Sequence, residues 1–303
     1  MTAPAYRGRF APSPTGPLHF GSLVAAVASY ADARHHDGEW LLRIEDVDQT
    51  RSLASAETRI MRALQAFGMH WDRDPIRQSE REPRYQSVLE QLVERGLAYR
   101  CNCSRKTIAA MARHGSEGPV YPGTCRMHPP PDKARSAWRV IVDAQDISFN
   151  DRVVGEVRQN LALEIGDFVV RRIDSFTAYQ LAVVVDDHDQ GITHVVRGAD
   201  LLWSTPRQVW LQRMLHYEAP RYAHIPLVYS EDGHKLSKSD NAHPLDEHNP
   251  VAGLTAAWRH LGQQPPPETL GSSNAFWEWA IPRWDIGIVP HDRNIRHERP
   301  DSV

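Results

Sequence analysis

A chain of 303 residues with 41% hydrophobic and 24% charged side chains has ordinary globular usage and enough length to bury a core. A net charge of −3 excludes a histone-like polyanion binder but leaves room for a local basic face among 35 Lys and Arg, and 18 Gly and 22 Pro without period exclude collagen-like and low-complexity chains. No aliphatic run, that at residues 181–185 included, approaches the about 20 apolar residues that cross a bilayer. Arg7 and Arg9 lead into a proline-rich stretch rather than a signal-peptide core, and three cysteines cannot form a closed disulfide set. A reduced, cytoplasmic setting without a membrane partner is expected.

Residues 7–11 read as a short buried strand, and the prolines of Pro12-Ser13-Pro14-Thr15-Gly16-Pro17 force a loop after it. Leu23, Val24, Val27 and Ala31 mark one face of a helix over 21–35, which Asp37-Gly38 stops before a second strand at 40–44. A β-α-β crossover with a glycine-containing loop ahead of its helix is how a nucleotide-binding sheet begins. Helices are expected at 56–68, with Ile60, Leu64 and Phe67 inward, and at 82–95, with Gly96 as the C′ residue. Residues 99–131 lose periodicity and hold every cysteine, so they read as an inserted, metal-stapled loop region. Strands at 140–142 and 168–173, a buried segment at 179–185, and a helix capped by Thr205 with Pro206 at N1 follow. One further helix is expected at 251–261, and the last dozen residues should fray.

Three groups of residues carry chemistry. The loop through His19-Phe20-Gly21-Ser22 opens a helix whose free N–H groups suit a phosphate, with His19 as a donor and Gly21 allowing close approach; a proline-rich turn is the plain alternative. Gly233-His234-Lys235-Leu236-Ser237-Lys238-Ser239 packs two lysines and two serines into five residues, which suits a phosphate in flight or merely a solvated turn. Cys101, Cys103 and Cys125 supply three thiolates toward a tetrahedral zinc site, against the alternative of three buried free thiols.

Together the first two groups resemble the paired signatures of class I aminoacyl-tRNA synthetases. The segments Arg9-Phe10-Ala11-Pro12-Ser13-Pro14-Thr15-Gly16, Leu42-Arg43-Ile44-Glu45-Asp46 and Gly191-Ile192-Thr193-His194-Val195-Val196-Arg197-Gly198 look like the glutamyl subgroup. The resemblance covers about residues 7–240. Only 64 residues follow Ser239, too few and too proline-rich for a helical anticodon-binding region, and the shortened form resembles the glutamyl-queuosine tRNA(Asp) synthetase family.

That resemblance implies an α/β fold: a Rossmann-like class I synthetase catalytic domain with an inserted zinc-binding region and a short C-terminal helical portion. The expected divisions are 1–98 and 132–240 for the catalytic domain, 99–131 for the zinc insertion and 241–303 for the C-terminal portion. It implies tRNA-independent activation of L-glutamate with ATP and Mg²⁺, then transfer to queuosine at the wobble position of tRNA(Asp), by a monomer. Charging of tRNA(Glu), a nucleotidyltransferase of the same fold and a non-catalytic zinc-bearing RNA-binding module are the alternatives. The implied glutamate site is Arg9, Phe10, Ala11, Pro12, Ser13, Glu45, Tyr179 and Arg197, a set whose arginines and single acid suit two carboxylates and an ammonium. ATP falls to His19, Gly21 and Lys238, and catalysis to His19, Lys235 and Lys238. Tyr121 is implied as the fourth ligand of one structural zinc, while His114 and His128 are the chemically more usual candidates.

Overall fold

A computed structural model describes residues 5–48, 50, 54–229, 245–268 and 270–291, so the lysine-rich segment at 233–239, with Lys235 and Lys238, lies outside the described residues. The chain opens with strand β1 (Arg7–Phe10), helix α1 (Phe20–His35) and strand β2 (Glu39–Ile44), and β1 pairs with β2 in parallel, Arg9 opposite Leu41. Ten residues of α1 are buried, among them Leu23, Val24 and Val27, because the helix lies inside the fold rather than on it. Helix α2 (Ala54–Ala66) leads to β3 (Ile76–Arg77), which extends the parallel ladder beside β2. Helix α3 (Glu82–Glu94) follows, and Gly96 takes a φ of +68° just past its end, the left-handed turn that glycine enters without steric cost.

The segment expected to be loop is more ordered than its composition suggests. It contains the end of β4 (Ala98–Cys101), α4 (Arg105–Met111), a short hairpin of β5 (His114–Gly115) and β6 (Gly118–Pro119), and the single turn α5 (Thr124–Met127). Ser104 caps α4 by accepting from Thr107 N, a local signal that the absence of long-range periodicity obscures. The strand expected at 140–142 lies earlier, as β7 (Ala137–Val140), because antiparallel pairing with β4 fixes its register: Ala98 faces Val140 and Cys101 faces Ala137.

A hairpin of β8 (Asp146–Asp151) and β9 (Gly155–Asn160), absent from the sequence reading, comes next, then α6 (Leu161–Glu164) and β10 (Phe168–Arg171), which pairs with β7. Residues 179–185 prove to open helix α7 (Tyr179–Asp189), whose buried run is Leu181–Asp187. The second parallel pair is β11 (His194–Gly198) with β12 (Arg221–Ile225), separated by α8 (Thr205–Leu215). Thr205 is the first residue of α8 rather than its cap; Ser204 holds the cap position, and the Thr205 hydroxyl is engaged by Arg197 Nη2 at 2.8 Å. Helices α9 (Pro250–His260) and α10 (Ser273–Ala280) are the last α-helices of the described chain, two short 3-10 turns following, and Trp258, Phe276, Trp277 and Trp284 join the core that covers α1.

The two parallel ladders meet at β1 and β11, where Thr193 N donates to Arg7 O at 2.9 Å and Arg7 N to Thr193 Oγ1 at 2.8 Å. The two ladders, β3-β2-β1 and β11-β12, thus lie side by side with β1 next to β11, and the direction of succession reverses between them. Parallel α/β sheets place ligands beyond the carboxyl ends of their strands at such a reversal. Among the described residues no helix is long and apolar enough to cross a membrane.

Candidate active site

The carboxyl ends of β1, β2 and β11 deliver Arg9, Phe10, Glu45 and Arg197 to a common point, and the first turn of α7 adds Tyr179. These residues line one cavity of about 140 Å³ with Ala11, walled by Ala25, Val196, Gly198 and Leu201. Of the residues implied for glutamate, Pro12 and Ser13 stand outside this lining: Pro12 O accepts from Glu45 N at 3.0 Å, and Ser13 is exposed on the loop.

The two arginines differ in how they are held. Arg9, 3% exposed, already has a carboxylate, with its Nε 3.2 Å from Asp187 Oδ1, an atom shared with Arg43 Nη1 at 2.7 Å. Burial by itself would raise Asp187, but Arg43 and then Arg9 outweigh it and hold the carboxyl below its usual range. Arg197, 5% exposed, has no carboxylate within ion-pair distance among the described residues. It is gripped by neutral acceptors: Nε donates to His224 Nε2 at 3.0 Å, and Nη2 to Thr205 Oγ1 and Gln208 Oε1, each at 2.8 Å. Its Nη1 is buried without a hydrogen-bond partner among the described residues. A buried cationic donor without an acceptor is costly, and an anionic ligand in the cavity relieves that cost.

Glu45 has the opposite problem. Its side chain is 9% exposed, and burial pushes its carboxyl up, only partly offset by Arg43, whose Nη2 lies 3.4 Å from Oε1, and by Arg9. Burial and then the charge of Glu45 keep the Tyr179 phenol protonated. The site therefore offers an unsatisfied guanidinium and an under-compensated carboxylate, the complement of a small zwitterion that carries an extra carboxylate.

His19 is the N-cap of α1 and makes no capping bond with its side chain. Its ring is steadied over the first turn by Ser22, with Oγ 3.1 Å from Nε2. Gly21 lies in that same first turn. A phosphate set against this terminus meets free N–H groups and the positive end of the helix dipole.

A second cluster lies apart. Cys101, Cys103 and Cys125 bring their Sγ atoms within 4.8 Å of one another, and the Tyr121 hydroxyl reaches into the group, 3.3 Å from Cys101 Sγ and 3.8 Å from Cys103 Sγ. Cys125 N donates to the same hydroxyl at 2.9 Å. His114 and His128 are exposed and do not join the cluster. Three thiols and one phenol oxygen at this spacing suit a tetrahedral divalent ion.

The chain as a whole is similar to known synthetases. The family of tRNA synthetases class I (E and Q), catalytic domain, matches residues 5–250. A glutamyl-Q tRNA(Asp) synthetase from Dechloromonas aromatica is 52% identical, covering 97% of this chain and 99% of its own, and one from Pseudomonas aeruginosa is 50% identical at the same coverage. The chain belongs to the class I aminoacyl-tRNA synthetases and, within them, to the glutamyl-Q tRNA(Asp) synthetases. Among solved structures, a glutamate tRNA ligase from Elizabethkingia meningosepticum in complex with its amino acid is 27% identical with a TM-score of 0.76, covering 94% of this chain and 66% of the ligase. A glutamate-tRNA synthetase from Elizabethkingia anophelis gives 26% and 0.77 over 94% of this chain and 67% of its own.

Sequence reasoning missed the groups behind the synthetase's cavity. Asp187, itself bound by Arg43, holds Arg9, and Asp151 and His224 stand behind Arg197. The paired acids in the otherwise apolar stretch Val183-Val184-Val185-Asp186-Asp187 were the available signal, since carboxylates are rarely buried without a cation to meet. Nothing local marked His224 or Asp151.

Proposed function

We propose that this chain activates L-glutamate with ATP in the absence of tRNA and transfers it to queuosine at the wobble position of tRNA(Asp). The observation that carries the reading is the convergence of Arg9, Glu45, Tyr179 and Arg197 on one cavity at the strand reversal. Glutamate enters with its ammonium on Glu45, its side-chain carboxylate on Arg197 Nη1 and its α-carboxylate toward the start of α1. An α-carboxylate oxygen attacks the α-phosphorus of ATP, pyrophosphate leaves, and glutamyl adenylate remains. Catalysis is mainly positioning and charge stabilisation. His19 and Lys238 serve the triphosphate, Lys235 assists as its loop closes, Gly21 permits close approach and Mg²⁺ accompanies ATP. A hydroxyl of the queuosine cyclopentenediol then attacks the adenylate carbonyl carbon. AMP leaves, and its phosphate takes the hydroxyl proton.

In this reading residues 1–98 and 132–240 make up the catalytic part, and 99–131 are stapled by one structural zinc on Cys101, Cys103, Cys125 and Tyr121. The deciding experiment supplies labelled glutamate and ATP to tRNA(Asp) with and without queuosine, and to tRNA(Glu), alongside ATP–pyrophosphate exchange free of tRNA. Glutamate-dependent exchange and acceptance by queuosine-bearing tRNA(Asp) alone are expected. Acceptance only at the 3′ end of tRNA(Glu) would make the chain an ordinary glutamyl-tRNA synthetase, and exchange indifferent to glutamate would make it a nucleotidyltransferase.

A further inference from the structure

Arg197 is held from behind by a hydrogen-bonded chain that begins on another element. The register of the β11–β12 pair sets Arg197 opposite His224, and Arg197 Nε donates to His224 Nε2 at 3.0 Å. On its other side the imidazole meets Asp151, with Nδ1 2.6 Å from Oδ2. Asp151 ends β8, and the turn of the β8–β9 hairpin brings it against β12, where Arg152 N donates to Tyr222 O at 2.9 Å. Its second oxygen, Oδ1, is occupied by three backbone donors: Val153 N and Val154 N at 3.0 Å and His224 N at 3.1 Å. Asp151 and His224 are both fully buried, so no water competes for these bonds.

Only one tautomer of His224 satisfies both Arg197 and Asp151; the Thr205 hydroxyl, 3.2 Å from Nε2, is a rotor that can donate to the same nitrogen. The guanidinium can only donate, so Nε2 must accept, and the ring hydrogen must sit on Nδ1 facing the Asp151 carboxylate. A neutral imidazole that accepts at one nitrogen holds Arg197 without neutralising it, which leaves its charge and its unpaired Nη1 for the ligand. A carboxylate in the place of His224 would spend that charge before substrate arrived.

We infer that Asp151 and His224 are positioning residues for glutamate recognition: Asp151 sets the His224 tautomer, and His224 aims the uncompensated Arg197 guanidinium at the substrate's side-chain carboxylate. The inference rests on the reading of the cavity as the glutamate site.

Asp151→Asn is the sharp perturbation, because it is nearly isosteric and its effect runs through the tautomer. The three backbone N–H groups require the amide oxygen on their side, which turns the amide NH₂ toward His224 Nδ1. The imidazole then accepts at Nδ1 and carries its hydrogen on Nε2, directly opposed to Arg197 Nε–H. Losing one charge-assisted hydrogen bond in this way should raise the KM for glutamate about 10- to 100-fold, with kcat and the KM for ATP within about threefold of the parent. His224→Gln supplies an acceptor with no tautomer to set, so Asp151→Asn should add nothing further in that background, while His224→Ala should raise the glutamate KM more than His224→Gln does.

The assay is glutamate-dependent ATP–pyrophosphate exchange on the full chain, with thermal unfolding followed in parallel. A folded Asp151→Asn protein whose glutamate KM stays within twofold of the parent overturns the inference, as does a penalty of equal size in the His224→Gln background. Arg197→Ala separates the two levels of the argument. If it raises the glutamate KM while Asp151→Asn does not, the inference fails and the glutamate site stands. If Arg197→Ala leaves that KM unchanged, the reading of the cavity fails and takes the inference with it.

Discussion

Replacing Glu45 by Gln should weaken glutamate binding without weakening the fold, and the opposite signs follow from one balance of charges. Burial raises the Glu45 carboxyl more than Arg43 and Arg9 lower it, so without a cationic ligand the ionised form is held at a net cost. The neutral amide of the Glu45→Gln variant removes that cost and keeps an acceptor oxygen for Arg43, whose contact with Glu45 is long at 3.4 Å. Arg43 also retains Asp187 at 2.7 Å and Gln190 at 2.9 Å, so it is not orphaned. Stability should therefore change by less than about 1 kcal/mol, and the unfolding midpoint by no more than roughly 4 °C. Binding responds differently, because the substrate ammonium loses a desolvated charged partner worth about 1.5–3 kcal/mol, or roughly 10- to 150-fold in the glutamate KM. The acid side of the profile should change too. Glu45 binds the ammonium only when ionised, so the parent's glutamate KM should climb as pH falls into the raised Glu45 range, and this rise should vanish in the Gln variant. Exchange kinetics at several pH values and a thermal melt test all three points. A glutamate KM within twofold of the parent, or a melt lowered by much more than 4 °C, would refute the charge balance.

Other outcomes follow from different parts of the molecule. Lys238→Ala should cut glutamate-dependent exchange by about 10²-fold or more, the scale of one lost transition-state charge partner, and unchanged exchange in folded protein would remove the lysine segment from the mechanism. Metal analysis of protein purified without chelator should find one zinc per chain; Tyr121→Phe should lower its retention, and full retention would move the fourth position to another donor. His224 is pushed down to about 4 by burial, against the opposing pull of Asp151, while an unfolded histidine titrates near 6.5. The unfolded chain thus takes up a proton that the native site refuses, and stability should fall between pH 6.5 and 4 by up to roughly 3 kcal/mol. Asp151, held down to about 2, adds its own loss only below the ordinary aspartate range. Urea unfolding at pH 7, 5.5 and 4.5 should show a shallower acid slope for His224→Gln, and parallel slopes would contradict the buried neutral imidazole.

The amino-acid sequence by itself determined the opening β-α-β unit, the helices at α2, α3 and α9, and the membership of the chain among glutamyl-type class I synthetases, because periodicity, capping glycines and the His19-Phe20-Gly21-Ser22 loop act within a few residues of one another. It also pointed to Arg9, Glu45, Tyr179 and Arg197 as a set, although each alone reads as a surface ion pair or a core tyrosine. The tertiary structure decided the rest. The β8–β9 hairpin is polar along much of its length and was invisible until β12 packed against it. The placing of β7 at Ala137–Val140 follows from its two strand partners rather than from its own apolar run. The unequal states of the two arginines, one paired with Asp187 and one held by His224, arise from contacts across 178 and 27 positions of chain. Which buried charge is already compensated depends on what the fold brings within about 3 Å of it, and composition and spacing along the chain carry no record of that distance.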